Sequence, residues 1–213
     1  MPALALTLYL LGLVATFGIR TWLQVRRTGD SGFRRPAARI GSATWWGTVL
    51  FAAALVLGAA APALAVAGIL DPLTILRDPV IELLGLVVAV VGFLGVIAAQ
   101  TGMGSSWRVG VDNTERTALV TGGAFSLVRN PIFTAMIAAF AGLSLMTPTW
   151  LQLLGFISLV AAIEIQVRAV EEPYLARVHG AAYTGYAARV GRFLPGIGRG
   201  KATNAQQVTS NLE

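Results

Sequence analysis

The sequence predicts an all-α polytopic membrane protein with about five transmembrane helices, a cytoplasmic loop and an amphipathic C-terminal helix. Hydrophobic residues make up 55% of the 213 residues, charged residues only 12%, and the mean hydropathy is +0.70. A soluble domain of this length needs more polar surface than that. Apolar runs of about 20 residues, the length that crosses the hydrocarbon core, recur along the chain.

Each predicted span is an apolar run between polar or turn residues. The arginines flanking the first run follow it instead of preceding it, so we interpret the run as a true span and not as a cleavable signal peptide. Arg20 lies near its end, where a long side chain can snorkel to the interface. Pro62 is expected to kink or break the second span, and Trp45 and Trp46 to anchor its start at the interface. The predicted spans are residues 4–25, 45–70, 80–99, 131–146 and 151–166.

The distribution of arginine predicts the orientation. Basic residues collect in loop 26–39, in segment 100–130 and in the tail, whereas segment 71–79 and turn 147–150 are poor in them. Cytoplasmic loops carry the excess of Lys and Arg, so the N-terminus is expected outside and the C-terminus in the cytoplasm. Topology thereby explains the net charge of +6, and no nucleic-acid partner is expected.

The polar residues divide the chain into three parts. Residues 1–99 form a three-span region, residues 100–200 a core of loop, helical hairpin and C-terminal helix, and residues 201–213 a tail whose composition predicts disorder. The chain has no cysteine and one histidine, which excludes disulfides and Cys-based metal sites and makes a His-rich metal centre unexpected. No obligate protein partner is indicated, and the expected partners are membrane lipids.

Charged residues continue the helical pattern at the end of the fifth span. Glu164, Arg168, Glu171 and Glu172 fall on one face at helical spacing, so Arg168 can pair with any of the three acids. Ionisable groups at membrane depth are costly and are usually paired and functional. Two interpretations are open: an ion-paired helix end emerging into water, or a charged wall beside a ligand that arrives partly from the membrane.

Two glycine-containing segments precede the fourth span. In "LVTGGAFSLVRNPIF" the adjacent glycines permit unusual backbone angles, Asn130 suits an N-cap and Pro131 the first helical position. In "QTGMGSSWRVGVD" a Gly-x-Gly follows a helix and not a strand, which argues against a dinucleotide-binding fingerprint. Trp107 and Arg108 in that segment suit an interface anchor. Both segments are open to structural and functional interpretations.

The tail segment "HGAAYTGYAARVGRFLP" spaces its polar residues by three or four. His179, Tyr183, Tyr186, Arg189 and Arg192 are therefore expected to place several side chains on a common helical face. One interpretation is an amphipathic helix on an anionic membrane surface. The alternative is a lid that closes over a cytoplasmic cofactor pocket.

These segments, in this order and spacing, resemble the signature of the integral membrane methyltransferases, which include the isoprenylcysteine carboxyl methyltransferases and the related phospholipid methyltransferases. The resemblance covers about residues 100–195 and rests on "LVTGGAFSLVRNPIF", "VEEPY" and "VHGAAYTGYAARVGRFLP". The isoprenylcysteine enzymes usually have His at Asn130, Tyr at Phe133 and Gly at Ala135, so this chain is closer to the phospholipid enzymes.

The resemblance implies S-adenosylmethionine as cofactor and a lipidic or amphipathic acceptor drawn from the bilayer. An acceptor carboxylate could be oriented by Arg168, whereas an amine would have to lose a proton, with Glu171 or Glu172 assisting. The residues expected in catalysis are therefore Arg168, Glu171 and Glu172. The residues expected to bind the cofactor are Gly102, Gly104, Gly123, Phe125, Arg129, Asn130, Pro131, Glu171, Glu172, His179, Tyr183, Tyr186 and Arg192.

Two other functions are alternatives to methyl transfer for a membrane protein of this composition. A membrane reductase related to the sterol reductases would bind NADPH, but the acidic pair and the tyrosine-rich tail fit the methyltransferases better. A non-catalytic transport or binding protein is disfavoured because the polar residues collect on one side, not along a path through the bilayer. The Arg-rich, almost Lys-free composition hints at a GC-rich bacterial genome and hence at the plasma (inner) membrane.

Overall fold

The computed structural model describes residues 1–32, 38–104 and 118–200, and these residues confirm the predicted helical membrane fold. Within the described ranges, four helices are long and apolar enough to cross a membrane. Short 3-10 turns at Thr74–Leu76 and Gly123–Ser126 lie between them. The described helices are α1 (Pro2–Thr28), α2 (Ala43–Val66), α3 (Pro79–Gly102), α4 (Pro131–Met146), α5 (Trp150–His179) and α6 (Ala181–Arg189).

Helix α4 has the predicted bounds but only 16 residues, fewer than the roughly 20 that cross a hydrocarbon core. It lies directly against α3. A Cβ atom on Gly142 would come within 2.3 Å of the Ala89 nitrogen, and one on Gly92 within 2.4 Å of the Ala139 nitrogen. Small residues thus bring the two backbones together, as is common between membrane helices, and α4 is enclosed largely by protein.

Helix α5 extends well past its predicted end at residue 166. A π-helical turn, Gln166–Glu171, carries the helix into Pro173, which falls in the first turn of the segment that follows. Proline fits there because the change from π-helical to α-helical hydrogen bonding interrupts the regular ladder at this point. The π turn also rotates the residues after it relative to those before it. The acids along this stretch have different partners in the structure, and one charged face from Glu164 to Glu172 stays a prediction.

Two expectations in the N-terminal half are corrected in part or in full. Helix α2 runs without a break across Pro62, which is buried in the bundle, and a kink there stays a prediction. Arg20 does not snorkel outward, because only 7% of its surface is exposed and its guanidinium hydrogen-bonds backbone carbonyls inside the protein. The helix ends and loops that carry most polar residues meet at one end of the bundle, where the described chain resumes after residue 117.

Candidate active site

The segment after α6 is attached to the start of α4 through its backbone. The Arg129 amide donates to the Gly191 carbonyl at 2.8 Å, and the Asn130 amide to the Arg192 carbonyl at 3.1 Å. Val128 and Gly191 form an isolated parallel bridge. Because these bonds join residues about sixty positions apart, the C-terminal segment is held at the membrane-helix end by ladder-like pairing.

A buried ion cluster lies behind this pairing. One Glu172 oxygen accepts hydrogen bonds from Arg129 Nη2 at 2.6 Å and from Arg192 Nε at 2.8 Å. The other accepts from Arg192 Nη2, also at 2.8 Å. The side chains of Arg129, Arg192 and Glu172 are 3%, 19% and 18% exposed. Buried charges need partners of opposite sign, and here the Glu172 carboxylate is the shared partner of both guanidinium groups.

Arg129 also binds the C-terminal segment 187–198 directly. Its Nη1 donates to the Ala187 carbonyl at 3.0 Å and the Val190 carbonyl at 2.7 Å, and its Nη2 donates to the Gly198 carbonyl at 3.2 Å. Arg129 is therefore a buried residue that links the start of α4 to α5 and to segment 187–198. Because its guanidinium group already binds protein groups, it is less available to a ligand.

Asn130 is the residue that precedes α4, as predicted, and Pro131 is the first residue of the helix. The predicted capping hydrogen bond is absent from the described structure. The Asn130 amide instead donates to the Arg192 carbonyl at 3.2 Å. The side chain thus fastens the tail to α4, which no short-range capping rule could have indicated.

Helix α6 packs its tyrosines against protein. The Tyr186 hydroxyl donates to the Phe125 carbonyl at 2.5 Å, and the rings of Tyr183 and Tyr186 meet edge to face with centroids 6.3 Å apart. Burial raises the pKa of Tyr183 to about 12, with Glu172 acting in the same direction and Arg129 opposing it. The buried face of α6 therefore belongs to this cluster, and both phenols are neutral near pH 7.

The predicted common face of the tail is only partly correct. His179 ends α5, and Gly180, with a φ of +50°, separates it from α6. Arg192 lies beyond the end of α6, in the segment that pairs with α4. Tyr183 and Tyr186 do share a helical face, but His179 and Arg192 do not extend it, because the helix is interrupted at both ends.

The two adjacent acids have different partners. Glu172 belongs to the ion cluster, whereas an oxygen of the half-buried Glu171 accepts from the Gln166 side-chain amide at 3.1 Å. Within residues 1–32, 38–104 and 118–200, Glu171 forms no ion pair. Glu171 is thus a carboxylate in a protected place whose charge has no cationic partner in the described structure.

Arg168 takes a position apart from this cluster. Its Nε donates to Glu164, one turn earlier on α5, and their side chains are 57% and 37% exposed. The predicted alternative pairs of Arg168 with Glu171 or Glu172 are absent among the described residues. The exposed pair instead lies on α5 about one turn before the buried acids.

The glycines predicted to bind the cofactor have open surroundings. Gly104 and Gly123 adopt φ values of +55° and +59°, which favour glycine. A Cβ atom on Gly102, Gly104 or Gly123 would meet no described atom within 4 Å. Trp107 and Arg108, the basic residues of the 33–37 segment and the predicted disordered tail at 201–213 lie outside the described residues.

The sequence did not indicate the contacts of several residues that organise this end of the molecule. Gly191 and Gly198 offer backbone carbonyls to Arg129, Gln166 holds Glu171, and Gln100 and Arg20 join α1 to α3. Backbone acceptors carry no side-chain signal, and the glutamines lie in apolar runs without a motif. No pattern in the sequence could have found them.

Comparison with known proteins identifies one family. Residues 80–182 match the model of a protein family described as phospholipid methyltransferase. No curated protein and no solved structure matches the chain significantly. The matched region begins with α3 and includes α4, α5 and the start of α6, and it therefore contains Arg129, Glu171 and Glu172. Through this region, which is nearly half of its length, the chain is similar to the phospholipid methyltransferase family of membrane methyltransferases.

Proposed function

We propose that the protein transfers a methyl group from S-adenosylmethionine to a lipidic or amphipathic acceptor drawn from the bilayer. The proposed site lies at the cytoplasmic end of the bundle, and the positive-inside pattern of the loops supports that orientation. Family membership supports methyl transfer. The observation that carries the assignment of this site is the pair of adjacent acids with separate partners: Glu172 between two arginines and Glu171 without a cation.

The residues present fit the cofactor. Bound S-adenosylmethionine would supply an electrophilic methyl group on a sulfonium ion. Glu171 is a half-buried carboxylate paired only with a neutral amide among the described residues, so it can attract a cation without displacing an arginine. The open sides of Gly102 and Gly123 leave room for a ligand near the backbone. His179 and the tyrosines of α6 would border this space.

Glu172 has a different proposed task. Both of its oxygens are engaged by arginines, so it would hold Arg129 and the tail in place instead of contacting the ligand. Its inclusion among the cofactor-binding residues stays a prediction.

Arg168 is the residue best placed to meet an acceptor that arrives from the bilayer. It is exposed on α5, and its partner Glu164 is exposed as well, so solvent and lipid headgroups can compete for the guanidinium. Orienting an acceptor carboxylate needs a fixed cation near the reacting methyl group and little more. An amine acceptor would instead use Glu171 to take its proton.

Calorimetry of the purified protein tests the proposal. We expect binding of S-adenosylmethionine and S-adenosylhomocysteine, and none of NADPH. If neither S-adenosylmethionine nor S-adenosylhomocysteine binds, the proposed function is overturned. Binding of NADPH would favour a reductase. Transfer of a labelled methyl group to membrane lipids, followed by mild alkali, then identifies the acceptor class, because methyl esters release methanol and N-methyl groups do not.

Replacing Glu171 should reduce cofactor affinity without unfolding the protein. Glu171→Gln keeps the shape and the contact with Gln166 but removes the charge that faces the cofactor cation. A charged hydrogen-bonding partner contributes about 1.5–3 kcal/mol, so we expect the dissociation constant to rise at least tenfold. Calorimetry measures it, with Glu164→Gln as the exposed control on the same helix. Equal affinity of wild type, Glu171→Gln and Glu164→Gln for S-adenosylmethionine would show that Glu171 has a structural role.

Replacing Arg168 should reduce turnover more than cofactor affinity. Arg168→Ala removes an exposed cation that contacts only Glu164 among the described residues, so the fold and the cofactor site should be preserved. Steady-state kinetics with the identified acceptor should show a lower kcat/KM, and calorimetry an unchanged dissociation constant for the cofactor. Parallel losses in both quantities would place Arg168 in the cofactor site or in the fold instead.

A further inference from the structure

Helix α1 carries a buried polar network at the same end of the molecule, although it precedes the region that matches the family. Arg20 is 7% exposed, Gln24 1% and Gln100 4%. Arg20 Nη1 donates to Gln24 Oε1 at 3.2 Å. The Gln100 amide donates to the Thr16 carbonyl at 3.1 Å, within the π-helical turn Val14–Ile19 of α1. Polar groups at this depth are costly unless each has a partner, so the network fixes α1 against α3.

The same arginine caps the end of α3. Arg20 Nη2 donates to the Gly104 carbonyl at 2.9 Å and makes a longer contact of 3.4 Å with the Gln100 carbonyl. The last carbonyls of a helix lack intrahelical donors and carry the negative end of the helix dipole. A guanidinium group from another helix is therefore a suitable cap, and its planar fork can serve two carbonyls at once.

The carbonyl with the shorter contact belongs to Gly104, the last residue of the Gly102–Gly104 turn. Gly104 takes a left-handed conformation, with a φ of +55°, and neither glycine would bring a Cβ atom within 4 Å of a described atom. Among the described residues, this turn is therefore held by Arg20 and has no close neighbour at the Cβ positions of its glycines. Glycine restricts the backbone conformation less than any other residue. A glycine-containing turn that must lie close to a ligand therefore needs contacts that fix it.

We propose that Arg20 is a positioning residue of the methyltransferase site, holding the Gly102–Gly104 backbone where the cofactor binds. The inference rests on the proposed function and extends it to α1, which lies outside residues 80–182. Arg20 acts through the Gly104 carbonyl and does not touch the cofactor or the acceptor. The first span is then part of the cofactor site and not only a membrane anchor.

Calorimetry with S-adenosylmethionine tests the role in four proteins: wild type, Arg20→Gln, Arg20→Lys and Arg27→Gln. Losing a charged hydrogen bond that fixes the turn should weaken cofactor affinity about tenfold in Arg20→Gln. Arg20→Lys should recover part of it, because an ammonium group keeps the charge but not the fork. Arg27 is exposed on the same helix, so Arg27→Gln removes the same charge and should bind as wild type does.

Melting temperatures separate positioning from folding. A lower melting temperature for Arg20→Gln with unchanged affinity of the folded protein would overturn the proposal. If Arg20→Gln does not fold, Gln100→Leu is the second variant, because it removes the hydrogen bond from the Gln100 side chain to the Thr16 carbonyl between α3 and α1. We expect it to weaken S-adenosylmethionine affinity as well. Wild-type affinity in Gln100→Leu would overturn the proposal. Failure of wild type to bind S-adenosylmethionine would instead overturn the proposed function itself.

Discussion

Glu172→Gln should lower the stability of the protein markedly, by about 3 kcal/mol. The substitution keeps the shape of the side chain but leaves two guanidinium groups without their shared carboxylate, and the Arg129 side chain is only 3% exposed. Removing one partner of a buried ion pair is costly because the remaining charge cannot regain water. Thermal unfolding in detergent should show a melting temperature lower by roughly 5–10 °C.

Two comparisons sharpen this prediction. Glu164→Gln removes an acid from an exposed pair on the same helix and should leave the melting temperature nearly unchanged. Combining Glu172→Gln with Arg192→Gln should cost less than the sum of the single changes, because the second substitution removes one of the stranded charges. An unchanged melting temperature in Glu172→Gln, or strict additivity in the double variant, would show that the ion cluster does not stabilise the fold.

Gly191→Ala should be the most damaging small substitution in the tail. A Cβ atom at Gly191 would lie 2.0 Å from the Leu194 carbonyl oxygen and 2.8 Å from the Ile197 carbonyl oxygen. Both are backbone atoms of one tight turn, so no flexible side chain can yield. The Gly191 carbonyl accepts from the Arg129 amide, so displacement of this turn would also pull the tail from α4.

We expect Gly191→Ala to cost at least about 2 kcal/mol and to reduce cofactor binding together with stability. Limited proteolysis should cut the tail of the variant sooner than that of wild type, and calorimetry should report the loss of affinity. Gly185→Ala is the matched control, since Gly185 lies within α6 and its nearest neighbour, an Arg189 Nη1 atom, is 3.7 Å away. Alanine favours helices, so the control should be neutral or slightly stabilising. Indistinguishable behaviour of the two variants would contradict the prediction.

Local signals in the sequence predicted the elements of the fold well. Long apolar runs gave the positions of the membrane helices, and Asn-Pro marked the start of α4. The same signals failed where the backbone departs from regular geometry. The π-helical turn Gln166–Glu171 carries α5 beyond its predicted end. Pro62, conversely, does not interrupt α2, because bundle packing outweighs local propensity.

The candidate site was predicted in composition but not in arrangement. The motifs indicated that Arg129, Glu172 and Arg192 belong together, and the structure brings them into contact. In the structure these three residues are partners of one another, whereas Glu171 has the neutral Gln166 as its partner. The sequence around Glu171 and Glu172 offered no way to tell these two acids apart. Only long-range contacts distinguish them.

The sequence by itself indicated that this chain is an integral membrane protein and that residues 80–182 are similar to a methyltransferase family. Both conclusions follow from hydrophobicity and motif order, which are properties of the chain. The tertiary structure decided which charges are shared, since Glu172 lies between two arginines whereas Glu171 has a neutral partner among the described residues. "SLVRNPIF" shows the difference: its Arg129 is the buried link between α4 and the tail. A buried charge takes the partners that the fold brings within reach, and those partners lie about forty to seventy residues away.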